Sequence, residues 1–137
     1  MYIVNDINRL LNLAKFKILD LLPIGDIAIS KFKIYEYGII TRQQLNNYSQ
    51  IGQLHVDELE MFSNWRSGKN QRLTDGDLST IYIALKNPPM ILLLSDEDLF
   101  LPNVCVECGV PYKQWDEVIG EIADEKTIEL YHLIKTA

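Results

Sequence analysis

Short apolar runs bounded by polar residues alternate with stretches of helical periodicity along most of this chain. Residues 2–5 read as a buried strand, and over 9–22 the apolar positions recur at helical spacing. Pro23 and Gly25 punctuate the end of that stretch. Ile27-Ala28-Ile29 reads as a second strand, with Ser30 placed to cap a helix over 31–37 and Gly38 to stop it. Thr41 is placed to cap a third helix that runs to about Ile51. Residues 53–56 then read as a short strand, 58–65 as a helix, and Ser67-Gly68-Lys69-Asn70 as a loop.

The second half has the same grammar. Thr74 or Asp75 opens a helix through Leu78, Ile81, Ala84 and Leu85, and Asn87-Pro88-Pro89 ends it. A strand over 90–94 and a helix over about 98–108 follow, with Gly109 as its C-terminal stop. Val110-Pro111-Tyr112 reads as a final edge strand, where proline is tolerated. Residues 114–136 read as helical, broken near Gly120 or Asp124. Strands that alternate with helices predict crossover connections and an α/β fold with a mostly parallel central sheet flanked by helices.

A chain of 137 residues predicts one domain over 1–137, with 114–137 as a C-terminal helical extension. Chains of this size bury roughly 68–70% of their unfolded surface, so the fold needs neither disulfide nor metal to hold. A hydrophobic fraction of 47% and a charged fraction of 23% are ordinary for a globular protein. The longest apolar run, 90–94, is too short to span a membrane. Met1 leads straight into a strand without a charged segment and long apolar stretch, which predicts no secretory signal and a cytoplasmic location.

The net charge of −6 argues against passive nucleic-acid binding through a basic surface. It does not exclude a nuclease, because clustered carboxylates make a chain acidic and a bound divalent ion reverses the local field. Arg42, Arg66, Lys69 and Arg72 lie in one middle stretch, either as a phosphate-contacting face or as an ordinary solvated surface.

Acids mark the ends of the predicted elements. Asp6 and the cluster Asp96-Glu97-Asp98 each follow an apolar strand, and Glu36 and Asp77 lie in predicted helices. Each also has a plain structural role: Asp6 as a helix cap, Glu36 on a helix surface, Asp77 in a first helical turn, and Asp96 to Asp98 in a polar turn. In an open parallel sheet, however, ligands bind beyond the carboxyl ends of the strands. Acids brought there from distant parts of the chain suit a divalent cation.

Taken in order, these segments resemble the PIN-domain family of metal-dependent ribonucleases, which includes toxins of toxin–antitoxin systems. Tyr2-Ile3-Val4-Asn5-Asp6-Ile7-Asn8 resembles the family's opening strand and first aspartate. Ile27-Ala28-Ile29-Ser30 with Ile34-Tyr35-Glu36 is similar to its second strand and glutamate-bearing helix. Leu73-Thr74-Asp75-Gly76-Asp77 resembles the third motif, and Leu92-Leu93-Leu94-Ser95-Asp96-Glu97-Asp98-Leu99 the fourth. The likeness covers residues 2–112 and is weakest over 39–72. It departs at Ile7, where the family has a small hydroxyl residue, and in the fourth motif, where Asp96, Glu97 and Asp98 compete as ligand.

The resemblance implies a PIN-like three-layer fold and an endoribonuclease that hydrolyses RNA through Mg²⁺ or Mn²⁺. It assigns Asp6, Glu36, Asp77 and Asp96 as catalytic, Asp6, Asp77, Asp96 and Asp98 to the metal, and Asn8 and Ser95 as supporting donors. A homodimer and a protein antitoxin are the partners it implies. The alternatives are a PIN-like binding module without activity, or a receiver-like signalling domain, although the paired acids a receiver carries after its first strand are reduced here to Asp6 alone. Cys105-Val106-Glu107-Cys108 has neither further Cys ligands for zinc nor the helix-start position of a redox pair, so its expected role is apolar filling. The tryptophans and tyrosines are expected as core or oligomer contacts ahead of base-stacking surfaces. No Gly-rich phosphate loop or nucleophile elbow is present.

Overall fold

The computed structural model describes residues 1–69 and 71–135. Its strands are β1 (Tyr2–Val4), β2 (Ile27–Ser30), β3 (Ile51–Leu54), β4 (Ile91–Leu94) and β5 (Tyr112–Gln114). They form one sheet in the order β3-β2-β1-β4-β5, with every pairing parallel. The helices are α1 (Ile7–Lys15), α2 (Lys31–Ile34), α3 (Ile39–Asn46), α4 (Leu59–Arg66), α5 (Asp75–Lys86), α6 (Leu101–Cys108), α7 (Trp115–Ile122) and α8 (Glu125–Lys135). This is an α/β fold with helices on both faces of a parallel sheet, in keeping with a PIN-like three-layer architecture.

Strand alternation divides the core between the two faces. Val4, Ile29 and Leu93 pack against Leu10, Leu13, Trp115, Val118 and Tyr131 on the α1–α7–α8 side. Ile3, Leu92 and Leu94 pack against Leu78, Ile81, Leu101, Val104 and Cys105 on the α5–α6 side. The C-terminal helices thus share one apolar cluster with α1, with Trp115 and Tyr131 fully covered. Ile7 belongs to the same cluster, which accounts for an apolar residue where the resembled family has a hydroxyl.

Several elements end earlier or later than periodicity alone predicts. The stretch 9–22 is not one helix: α1 stops at Lys15, and a 3-10 turn spans Leu19–Leu21. Lys17 adopts the left-handed conformation (φ 60°), with Lys17 N–H bonded to Ala14 O at 3.1 Å and Ile18 N–H to Leu13 O at 3.0 Å. That pair of bonds is a Schellman stop, with lysine where glycine is usual. Gly38 does not terminate α2, which ends at Ile34; it is the N-cap of α3. α3 itself ends at Asn46, so the third strand comes forward to Ile51–Leu54. The fifth strand lies two residues later than expected, at Tyr112–Gln114. The break between the last helices falls at Ala123 and Asp124, where Asp124 Oδ1 accepts from Thr127 N–H at 2.8 Å. Asn70 in the expected loop, and residue 136 of the expected last helix, lie outside the described residues.

Candidate functional site

The chain runs from β1 outward through β2 to β3, then returns to place β4 on the other side of β1. β1 and β4 are therefore the topological switch point, and the crevice at their carboxyl ends is where such sheets bind ligands. Asp6 directly follows that end of β1, and the turn Ser95–Phe100 follows β4. A cleft of about 680 Å³ opens there, lined in part by Asn5, Asp6, Lys33, Tyr37, Asp77 and Asp98.

Asn5 is the brace at its floor. Period-two alternation carries Asn5 to the same face as Ile3, toward α5, and it is 1% exposed. Its amide nitrogen donates to Asp77 Oδ1 at 3.0 Å and to Asp98 Oδ1 at 2.8 Å. Its amide oxygen accepts from Thr80 Oγ1 at 2.9 Å. One neutral side chain thus ties together residues from α5 and from the turn after β4.

Asp77 has two jobs, one for each oxygen. Thr74 caps α5 by accepting from Asp77 N–H at 3.1 Å, and Thr74 N–H donates in return to Asp77 Oδ2 at 3.3 Å. This capping box fixes the first turn of the helix. The other oxygen, Oδ1, faces the cleft and accepts from Asn5 and from Lys33 Nζ, the latter at 2.6 Å. Burial works to raise the Asp77 pKa, but the bonds from Lys33 and Asn5 outweigh it and hold the carboxyl below its ordinary value.

Glu36 closes the same side. Lys33 Nζ donates to its Oε1 at 3.2 Å, and Gly76 N–H donates to its Oε2 at 2.8 Å. A Cβ at position 76 would overlap the Glu36 carboxylate, so the glycine is the seat for that group. Lys33 is one helical turn before Glu36 and carries its charge into the cluster with only 13% of its side chain exposed. Burial lowers the Lys33 pKa, yet Asp77 and Glu36 together raise it, so the ammonium stays charged.

Asp6 and Asp98 form the opposite side. Asp6 caps α1 by accepting from Arg9 N–H at 3.1 Å, while its Oδ2 accepts from Ser95 Oγ at 2.6 Å. Ser95 N–H donates to Asp98 Oδ2 at 2.8 Å, so Ser95 joins the two acids. Burial pushes Asp98 up to about 6; the bonds from Ser95 and Asn5 oppose this and the charge of Asp6 adds to it. No ion pair among the described residues reaches either carboxylate.

Of the competing acids after β4, Asp98 is the one that meets Asp6 and Asp77. Asp96, singled out from the sequence as catalytic, turns outward: its side chain is 70% exposed and pairs with Arg9 at 3.0 Å. The chain does not become helical at residue 98. It makes a turn (Asp98 N–H to Ser95 O at 3.1 Å) and enters α6 only at Leu101, which folds Asp98 back over the strand end. Glu97 and Asn8 line the cleft. Asp75 pairs with Arg66, away from the cleft.

Asn5, Lys33, Thr80 and Gly76 were not singled out by sequence pattern as members of this site. Arg9, Arg72 and Lys135 add positive charge to the cleft lining. Arg9 also donates to Tyr131 Oη at 3.1 Å, and Tyr131 donates to Asp116 Oδ1 at 2.6 Å, which fastens α8 beside the opening. Outside the cleft, Cys105 is fully buried and its thiol is pushed up to about 12, chiefly by burial, in keeping with an inert filler. His55 lines a separate cavity of about 170 Å³, and the His132 ring lies against Tyr131.

The donor chemistry fits a hard divalent ion, since carboxylate oxygens suit Mg²⁺ or Mn²⁺. The cluster already gathers around one cation, the Lys33 ammonium. As they stand, no three acidic, His or Cys side chains among the described residues are arranged to hold a metal directly. No protein-family model, curated protein or solved structure matches the chain.

Proposed function

We propose that this protein is a metal-dependent endoribonuclease that hydrolyses RNA in the cleft at the β1–β4 switch point. The observation that carries the proposal is the meeting of Asp6, Asp77 and Asp98, from three separate parts of the chain, across Asn5 and Ser95. The motif order that resembles PIN-domain ribonucleases supports it. Asp6 and Asp98 would hold Mg²⁺ or Mn²⁺ directly, with Asp77 reaching it directly or through water. When bound, the ion supplies a lowered pKa for a coordinated water and charge compensation at the phosphate. Glu36, as the resemblance implies, would orient the attacking water. Arg9, Arg72 and Lys135 draw the phosphate backbone to the opening. A toxin role, a cognate antitoxin, a homodimer and a cytoplasmic location rest on the resemblance and sequence pattern alone. Among the described residues, no helix is long and apolar enough to cross a membrane.

A second reading is a PIN-like RNA-binding module without cleavage, favoured by the Asn5 and Lys33 cross-links that fill the space between the acids. Cleavage of a single-stranded RNA with Mn²⁺, and with EDTA in its place, separates the two. The nuclease reading expects Mn²⁺-dependent products that vanish in Asp6→Ala and Asp98→Ala. Binding of the same RNA without products in Mn²⁺ supports the module, and cleavage that survives EDTA or both substitutions refutes the metal mechanism.

A further inference from the structure

We propose that the Lys33 ammonium serves as a built-in second cation of the cleft, so that the site takes one divalent ion, on its Asp6–Asp98 side, instead of two. This rests on the metal-dependent reading above and specifies how that site is loaded.

The charge on the donors to these carboxylates shows the division. Each carboxylate oxygen offers two acceptor positions. Asp77 Oδ1 has both taken, by Lys33 at 2.6 Å and Asn5 at 3.0 Å. Its Oδ2 is turned to the backbone of Thr74 in the capping box. Glu36 Oε1 accepts from Lys33, and Oε2 is seated on Gly76 N–H. A divalent ion bound at about 2.0–2.6 Å from these oxygens competes with Lys33 for the same acceptors and the same space, against a like charge.

The other side is different in kind. Asp6 Oδ1 and Oδ2 accept from Arg9 N–H and Ser95 Oγ, and Asp98 Oδ1 and Oδ2 accept from Asn5 and Ser95 N–H. All of these donors are neutral. Among the described residues no ion pair reaches either carboxylate, and Lys33 and Arg9 act on this pair of acids only at longer range. That is the electrostatic demand a single divalent ion meets.

Lys33 is also held where it is. Its side chain is 13% exposed, and α2 packs directly on α5, so the ammonium has little room to leave the pair of acids that it bridges. Nothing in the helix pattern of α2 requires a lysine at this inward position. A residue that carries a fixed charge into a carboxylate cluster, at a stem cost in rotamer freedom, serves electrostatics ahead of packing.

The test is Mn²⁺ stoichiometry, read by calorimetry and by the free-ion electron paramagnetic resonance signal, on the full chain without RNA. Wild type is expected to bind one Mn²⁺ per chain, Lys33→Met two, and Lys33→Arg one. Circular dichroism confirms that each variant is folded, and Lys33→Gln replaces Lys33→Met should the latter not fold. Two ions in wild type, or one ion in both charge-removing variants, overturns the second-cation role and leaves the nuclease reading intact. No Mn²⁺ bound by any of these proteins removes both.

Discussion

The two sides of the cleft carry the same kind of group and differ in what neutralises it. On the α2–α5 side, Asp77 and Glu36 share a lysine and are fixed by a capping box and a glycine seat. On the β1–β4 side, Asp6 and Asp98 share only a serine and an amide. The contrast shows in their titration: Asp77 is held below its ordinary value, and Asp98 is pushed up to about 6. One side is balanced by the Lys33 ammonium, and the other is held by neutral donors alone. The carboxylates of an acidic cluster are therefore not equivalent, and their number alone does not describe its electrostatics.

The largest effect that sharpens this contrast is in metal affinity. Asp98→Ala is expected to weaken Mn²⁺ binding by about 100-fold or more, whereas Asp77→Ala, acting through water or orientation, costs about 10-fold. Calorimetric titration measures both, and a reversal of that order breaks the distinction between the sides.

The brace between the sides comes next. Asn5→Ala removes three hydrogen bonds, one of them fully buried, leaving Thr80 Oγ1 only Gly76 O as acceptor and Asp77 and Asp98 one donor fewer each. A loss of about 2–3 kcal/mol in urea unfolding is expected, with part of it recovered by Mn²⁺, which holds the acids together in its place. A variant as stable as wild type contradicts the role of Asn5.

Gly76→Ala sets two effects against each other. Alanine in a helix gains up to about 1 kcal/mol over glycine, but the added Cβ displaces the Glu36 carboxylate from its seat. Overpacking costs about 1–3 kcal/mol, so net destabilisation is expected in the same unfolding experiment. A stabilised variant would mean that Glu36 moves away freely.

The smallest effect is in pH dependence, and the two sides have opposite signs. Asp98 has its folded pKa raised from 3.8 to about 6, so its contribution to stability is complete below 3.8 and is lost as pH rises through about 6. Asp77 is lowered from 3.8, so its contribution is present above that value and is lost as pH falls below it. Carboxyl carbon shifts followed by NMR should place the Asp98 midpoint near 6 and the Asp77 midpoint below the ordinary range. Coincident midpoints would erase the contrast.

The order of elements was legible because each apolar run is bounded by turn or cap residues, and Thr74 or Asp75 marked the start of α5, where the structure has Thr74 as the cap. The acids at strand ends were legible for the same reason. The choice among Asp96, Glu97 and Asp98 was not legible because it depends on a turn and on Phe100, which sits at φ 70° just before α6. Local pattern does not encode that conformation for a phenylalanine. Lys33 was not legible as a site residue, since its partner Asp77 is 44 residues away. Its only local signal is the three-residue spacing to Glu36. Asn5 had a stronger one, a polar residue ending a buried strand on the Ile3 face, but period two alone does not say what that face meets.

The central claim is that this cleft is built to hold one divalent cation against Asp6 and Asp98. Crystals soaked in Mn²⁺ and measured at the manganese absorption edge test it most directly. The account predicts a single anomalous peak within about 2–2.6 Å of oxygens of Asp6 and Asp98, with Lys33 still on Asp77 and Glu36. A peak between Asp77 and Glu36 with Lys33 expelled, or no peak in the cleft at saturating Mn²⁺, would contradict it.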